Sequence, residues 1–488
     1  MSELIRDWVA EQAASDPSRI AIEARDQLLS YGDLDHRSAS LALSLKQNRI
    51  SLGDRVAVLA QNSVEFVEAV HSVPRAGGIL VPLNTRLTTS ELAFQLKDSG
   101  TKMLLCHAPT AAAANEAATT AGIQEVVSLP LGSSGPAANL TKLHRPDDIH
   151  SIVYTSGTTG TPKGSMLTFG NFTASAAASG SNLGVEAADR WLACMPLFHV
   201  GGLSIVTRSA IYGTCAVIQD SFDERAVNKA LRETDVTLLS VVATMLQRML
   251  DADEEPYPSS VRAVLVGGGP VPEDLIERSL RRGLPVSQTY GLTEATSQVS
   301  TLRPGEALTH LGSAGRALQN TRLDIDAPTG ESGEILVQGP TVSPGYWNDE
   351  SATGAALSNG WFHTGDIGRL DADGFLYVLD RRDDLIVSGG ENVYPAEIEA
   401  VLLDFPGIEA AAVVGLPDEH WGQAVTAAIV TKDGEEPDGL ASHVRKKLAG
   451  YKVPLDVLVV DSLPMTASGK VQRRLVRDML TAPKARRN

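Results

Sequence analysis

Residues 154–164 read YTSGTTGTPKG: three glycines, a run of Ser and Thr hydroxyls and one lysine, Lys163. Glycines such as Gly157 let a backbone approach an anion closely, and the hydroxyls of Thr155, Ser156, Thr158 and Thr159 add donors. With the positive charge of Lys163, that set of groups suits phosphate oxygens. A polar surface loop needs only turn residues, not TSGTTG followed by a lysine. The spacing GxxxxGK[ST] is not met either, which disfavours an ordinary P-loop ATPase.

Three other stretches carry groups of the same kind. QTYGLTE at 288–294 places Thr289, Tyr290, Gly291 and Thr293 just ahead of Glu294. A tyrosine can stack on a base, and a carboxylate is what Mg²⁺ takes when it bridges phosphates. HTGD puts Asp366 on a glycine turn, where it can accept from two ribose hydroxyls or simply stabilise the turn. ASGKVQRR puts Lys470 on another glycine turn, an odd place for a core residue and a common one for a solvated lysine. Gly268 and Gly269 in VLVGGGP end an expected strand, where open α/β sheets place ligands.

The surrounding pattern alternates helix and strand, which predicts parallel sheets with crossover helices and an α/β fold. A helix is expected over 3–14, strands in RIAIEARDQLLS and DRVAVLAQNS, and one surface helix in the Ala-rich 109–120. Beyond 330 short strands and glycines follow. The charged, then glycine-rich DRRDDLIVSGGENVYP at 380–395 leads into a helix started by Pro395. The expected division is 1–380 and 384–488, with the linker near 380–384. At 488 residues, two or three cores are expected. A net charge of -17 argues against nucleic-acid or anionic-membrane binding, although the last twenty residues are basic. Three scattered cysteines, an acidic start without an apolar h-region and the lack of any run of about 20 apolar residues point to a cytoplasmic protein without membrane insertion.

Taken together, the hydroxyl-rich loop, QTYGLTE, WFHTGD, DRRDDLIVSGGENVYPAEIE and SGK occur in the order and spacing of the adenylate-forming superfamily, and the chain resembles it over essentially its whole length. The superfamily includes acyl-CoA synthetases, luciferases and peptide-synthetase adenylation domains. The resemblance implies a large N-terminal domain of two αβ sheets plus a distorted β-barrel, and a small α+β C-terminal domain that rotates about a hinge. It implies ATP, Mg²⁺ and coenzyme A as ligands beside a small-molecule carboxylate. Residues 155–163 would hold the β- and γ-phosphates, Tyr290 would pack on adenine and Thr293 would sit near the α-phosphate. Glu294 would bind Mg²⁺, Asp366 and Arg381 would hold the ribose, and His199 in PLFHVGG would line the acyl pocket. Lys470 would bridge the acyl carboxylate and the α-phosphate. The hinge would be Asp383, and Gly389 and Gly390 would line the pantetheine tunnel.

Within the superfamily, PLFHVGGLS, TFGN, RAVLVGGGPVP, QTYGLTEATSQVSTLRP and LGSAGRAL resemble the o-succinylbenzoate–CoA ligases of menaquinone synthesis. Phe169 stands where many members carry a histidine, in agreement with that subgroup. Such a substrate has a second carboxylate that needs donors or a cation if buried. Ser297, Gln298 and Thr289 are candidates, with Arg208 more distant, and the sequence does not choose among them. A broader aryl- or medium-chain acyl-CoA synthetase, or a stand-alone adenylation domain loading a carrier protein, are the alternatives. No motif decides oligomerisation, so a homo-oligomer stays open.

Overall fold

The computed structural model describes residues 3–25, 27–87, 89–131, 140–155, 162–269, 271–328, 330–381, 386–388, 391–393, 395–418, 421–448, 450–466 and 470–481. Packing divides the chain into two compact units. One comprises Met1–Asp324, Leu336–His363 and Asp371–Leu376; the other comprises Ile325–Ile335, Thr364–Leu370 and Tyr377–Asn488.

The first unit holds two sheets that are parallel at their centres. In the six-stranded sheet the order is Lys163–Thr168, Ile149–Thr155, Ile79–Pro82, Arg55–Leu59, Thr101–Cys106, Glu125–Ser128. The run RVAVL at 55–59 is apolar at nearly every position because both faces of its strand are covered. Val56 and Val58 pack with Val67 and Val70 of the Val64–Arg75 helix. Ala57 and Leu59 turn the other way, onto Leu92 and Leu96 of Thr89–Ser99 and Ala114, Ala117 and Ala118 of Ala111–Ala121. Each fully buried Val or Leu contributes about 1.5–3 kcal/mol, so these two layers set the sheet's position. The Ala-rich segment is thus a half-buried helix and not merely a surface one.

The nine-stranded sheet runs Arg316–Ala317, Ser297–Thr301, Val286–Leu292, Ala263–Gly267, Leu238–Val242, Arg190–Ala193, Cys215–Ile218, Ile20–Ala24, Gln27–Ser30. Its central pairs are parallel, whereas Val286–Leu292 with Ser297–Thr301 is antiparallel. In the six-stranded sheet, Ile149–Thr155 with Lys163–Thr168 is likewise the antiparallel pair at one edge. The strands flanking the hydroxyl-rich stretch and those flanking Glu294 are therefore both antiparallel pairs where a parallel sheet changes direction.

A further sheet has the order Arg322–Asp326, Gly333–Gln338, Trp361–Leu370, Leu357–Ser358, with Leu376–Arg381 pairing Trp361–Leu370. In the second unit Ile408–Asp418 and Gly422–Thr431 form a long antiparallel pair, and Asp456–Val459 adds in parallel. Alternation decides its layers: Val413 and Ile429 face Ile398, Leu402 and Val444, while Val414 and Ala428 face Val476 of the Arg473–Thr481 helix. Glu399 and Arg473 pair at 2.7 Å.

The amino terminus departs from the expected helix over 3–14. Ile5–Arg6 forms a short strand with Leu143–His144, and the helix begins only at Trp8. Asp7 caps it, accepting from Ala10 N–H at 2.8 Å, while Arg75 grips the same carboxylate through two nitrogens. That buried ion pair holds Asp7 outside the helix. No helix among the described residues is long and apolar enough to cross a membrane.

Candidate active site

Thr155 and Lys163 face each other across the antiparallel pair, so residues 156–162 connect the two strand ends. Thr155 Oγ1 donates to the Lys163 carbonyl at 3.4 Å. A Cβ on Gly164 would stand 2.6 Å from Ile152 Cγ2, so the strand after the loop needs glycine at its start. Ser156, Gly157, Thr158 and Thr159 lie outside the described residues. Lys163 is half-buried, its ammonium 5.4 Å from the centroid of the Tyr346 ring.

The second hairpin is built around a close backbone contact. A Cβ on Gly291 would lie 1.6 Å from the carbonyl oxygen of Ser297, and the register slips there. The turn Thr293–Ala295 then passes through Thr296 at φ 53° and Ser297 at φ 86°, both left-handed without being glycine. Such residues cost about 1–3 kcal/mol each and persist where neighbours hold them. Here Thr296 Oγ1 donates to the Thr341 carbonyl at 2.8 Å, and Ser175 Oγ donates to the Thr296 carbonyl at 2.7 Å.

Glu294 is half-buried at this turn. Its backbone carbonyl accepts from Ser343 N–H at 2.7 Å and its Oε1 accepts from Tyr346 Oη at 2.8 Å. Among the described residues no lysine or arginine pairs with it. A hard carboxylate with a second oxygen unclaimed fits Mg²⁺, which keeps most of its waters and takes one or two carboxylates together with phosphate oxygens.

The other members of the motif divide by role. Thr289 Oγ1 is spent inside the hairpin, on the Ser300 carbonyl at 3.0 Å and Thr301 Oγ1 at 2.8 Å. Tyr290 is buried and Thr293 half-buried. At the end of the neighbouring strand Gly268 has φ 82°, and a Cβ on Gly269 would meet nothing within 4 Å.

His199 is the N-cap residue of the Val200–Tyr212 helix, with its ring 4.6 Å from that of Phe198. A Cβ on Gly202 would lie 2.2 Å from the Pro196 carbonyl oxygen, so the chain before the helix folds tightly over its first turn. Asn62 fixes this approach: its amide nitrogen donates to the carbonyls of Met195 at 2.9 Å and Gln219 at 3.0 Å, and its oxygen accepts from Leu197 N–H at 2.8 Å. Nothing in DRVAVLAQNS marks Asn62 out, because its partners lie at residues 195, 197 and 219.

The same helix packs against the Phe169–Leu183 helix and the Ser297–Thr301 strand, and it carries Arg208. This arginine is 3 % exposed and pairs with no carboxylate among the described residues. Its Nη2 donates to Ser175 Oγ at 2.9 Å, its Nε has no partner, and its guanidinium lies 5.8 Å from the centroid of the Trp191 ring. Burial pulls its proton affinity down. One turn earlier on the same face, Ser204 Oγ is also unpartnered. Gln298 is 4 % exposed, and neither end of its amide makes a hydrogen bond among the described residues. Ser297 is half-buried beside it.

In the second unit Asp366 is buried within the ten-residue strand Trp361–Leu370, not on a free turn as HTGD suggested. Gly365 at φ 69° supplies a local kink in that strand, and its N–H donates to Glu334 Oε1 at 2.9 Å. Lys470 is exposed: Thr466 N–H donates to its carbonyl at 2.7 Å, and its own N–H donates to Thr466 Oγ1 at 3.1 Å. Arg381 ends the Leu376–Arg381 strand. Its side chain, and Asp383, Gly389 and Gly390 altogether, lie outside the described residues.

The two glycine-bearing hairpins and the C-terminal unit agree with the family profiles. Residues 9–347 match the AMP-binding enzyme family and residues 397–470 the AMP-binding enzyme C-terminal domain. The chain belongs to this adenylate-forming family. It is 44% identical over 482 residues to the 2-succinylbenzoate–CoA ligase of Geobacillus kaustophilus strain HTA426, covering 97% of this chain and 98% of that protein. The structure of the o-succinylbenzoate CoA synthetase of Bacillus subtilis in complex with the acyl-adenylate intermediate OSB-AMP superposes with a TM-score of 0.93, at 39% identity and 99% coverage of each chain. The same Bacillus enzyme in complex with ATP and magnesium ion gives a TM-score of 0.91 at 39% identity, covering 97% of this chain and 99% of that one.

Proposed function

We propose that the chain is an ATP-dependent acid–CoA ligase of the cytoplasm that acts on 2-succinylbenzoate. A substrate carboxylate oxygen attacks the α-phosphorus of ATP, the bond to the β-phosphate oxygen breaks, and pyrophosphate leaves. The thiolate of coenzyme A then attacks the acyl carbon of the adenylate and AMP leaves. The first step brings two anions together, so it needs cations aimed at the developing charge. Lys163 and the donors of its loop hold the terminal phosphates, and Lys470 bridges carboxylate and α-phosphate. Glu294 would hold Mg²⁺, which offsets phosphate charge when bound. Tyr290 and Gly268 border the base, and Asp366 with Arg381 takes the ribose. His199 faces the reacting carboxylate. For the second step Lys470 withdraws as the C-terminal part turns about Asp383, and Gly389 and Gly390 leave room for the pantetheine arm. An exposed residue such as Lys470 suits a group that must enter and leave.

One observation carries the substrate assignment: the buried, carboxylate-free guanidinium of Arg208. Arg208 lies on the helix that His199 begins, and its guanidinium reaches Ser175 of the neighbouring helix. A buried cation with an idle Nε, on a helix packed against the strand that carries the unsatisfied Gln298, is a poor feature for a pocket meant for an aliphatic chain and a good one for a diacid. The test is pyrophosphate release with 2-succinylbenzoate and with two analogues each lacking one carboxyl, 2-butanoylbenzoate and 4-oxo-4-phenylbutanoate. Arg208→Gln should lower kcat/KM for the diacid about 100-fold, in line with loss of a charge-assisted pair. The same change should leave the analogue that keeps the reacting carboxyl nearly unaffected. Equal losses on both would remove Arg208 from substrate recognition.

A further inference from the structure

The segment Pro340–Trp347, in the stretch PTVSPGYW, forms a strap across the first unit. Asn171 Nδ2 donates to the carbonyls of Pro340 at 2.8 Å and Val342 at 3.0 Å. The Thr341 carbonyl accepts from Thr296, and Ser343 N–H donates to the Glu294 carbonyl. The Gly345 carbonyl accepts from Met166 N–H at 3.0 Å, and Trp347 N–H donates to the Gly164 carbonyl at 2.7 Å. Glycine at 345 has φ 136° and its Cβ position lies 2.4 Å from Thr353 Cγ2, so the strap turns where no side chain fits. The strap therefore bonds to both hairpins, and its one large polar side chain, Tyr346, stands at their junction.

Tyr346 meets two opposite charges with two different parts of itself. Its hydroxyl donates to Glu294 Oε1 at 2.8 Å and its ring lies under the Lys163 ammonium at 5.4 Å. A ring face attracts an ammonium weakly, and a phenol donates well to a carboxylate. No ion pair joins Lys163 and Glu294. A direct pair would use the carboxylate oxygens on the lysine and would have to break before either charge could serve a ligand. Tyr346 gives each charge a partner it can leave or share.

We propose that Tyr346 is a positioning residue for metal–nucleotide binding: its hydroxyl orients Glu294 toward the cation, and its ring keeps Lys163 apart from that carboxylate. This rests on the functional reading above, in which Glu294 meets the metal and Lys163 the phosphates. Tyr346→Phe keeps the ring and removes the hook; Tyr346→Leu removes both.

The measurement is calorimetric binding of α,β-methylene-ATP, with Mg²⁺ and then with EDTA, to the full chain and both variants. Alongside it, thioester formation is followed from supplied 2-succinylbenzoyl-adenylate and coenzyme A. Tyr346→Phe should raise the Kd of the metal–nucleotide about tenfold, leaving the metal-free Kd and the thioester step at wild-type values. Tyr346→Leu should weaken metal-free binding as well, because Lys163 can then pair with Glu294. Tyr346→Phe binding the metal–nucleotide like wild type, or losing both forms equally, would overturn the role. Wild-type protein without metal-dependent nucleotide binding would overturn the functional reading itself, and the role with it.

Discussion

Around Glu294 the turn is held by bonds within the protein: Thr296 Oγ1 to the Thr341 carbonyl, the Glu294 carbonyl to Ser343 N–H, one carboxylate oxygen to Tyr346, and Thr289 across its own hairpin. On the helix of Arg208 and the strand packed against it, the same accounting leaves Arg208 Nε, Ser204 Oγ, both amide atoms of Gln298 and Ser300 Oγ without a partner among the described residues. Each buried unsatisfied group costs about 1–3 kcal/mol. The chain thus holds the Glu294 turn in place with its own bonds. In the other, buried polar side chains have no protein partner among the described residues. On the function proposed above, the first region would serve the adenylation chemistry and the second the choice of acid.

That contrast can be broken at several points. Gly291→Ala should do the most: with the Ser297 carbonyl 1.6 Å from the new Cβ, the hairpin must open. We expect a loss of about 3 kcal/mol or more in urea unfolding and no ATP–pyrophosphate exchange with any acid. Retained exchange would show that the turn is not held as rigidly as its bonds suggest. Lys470→Ala should lower adenylation by about 10²- to 10³-fold, by one factor for every acid, and spare thioester formation from supplied adenylate. An equal fall in both half-reactions would sink the division of labour between them. Gln298→Leu should show the smallest change and the most telling sign. Apolar replacement of an unsatisfied amide should stabilise the free protein by about 1 kcal/mol, while KM for 2-succinylbenzoate rises about tenfold. A loss of stability would mean that Gln298 is satisfied in the free protein.

The parts of the site that were legible in the sequence are those built locally. Lys163 follows its glycine loop by a few residues, and Gly291 lies three residues before Glu294, so short motifs contain the whole arrangement. Asn62 and Tyr346 went unremarked because their partners are distant: Asn62 acts on residues 195–197, and Tyr346 on Glu294, 52 positions away. Nothing in AQNS or SPGYW distinguishes them from ordinary turns. HTGD was legible as a motif and misread as a turn, because the pairing that stretches it into a strand comes from elsewhere in the chain. Fold class followed from alternation, as in RVAVL, whereas the late start of the first helix depended on Arg75, which lies 68 positions from Asp7.

The contact between Gly291 and Ser297 has a consequence for escape from inhibition. A compound that drew its affinity from the backbone of this hairpin would rest on atoms every amino acid possesses, at a position where any side chain collides with a carbonyl. Substitution there removes the target's own activity along with the compound. A compound anchored on Gln298 faces a side chain whose replacement should cost only about tenfold in KM, so resistance should arise on that side first.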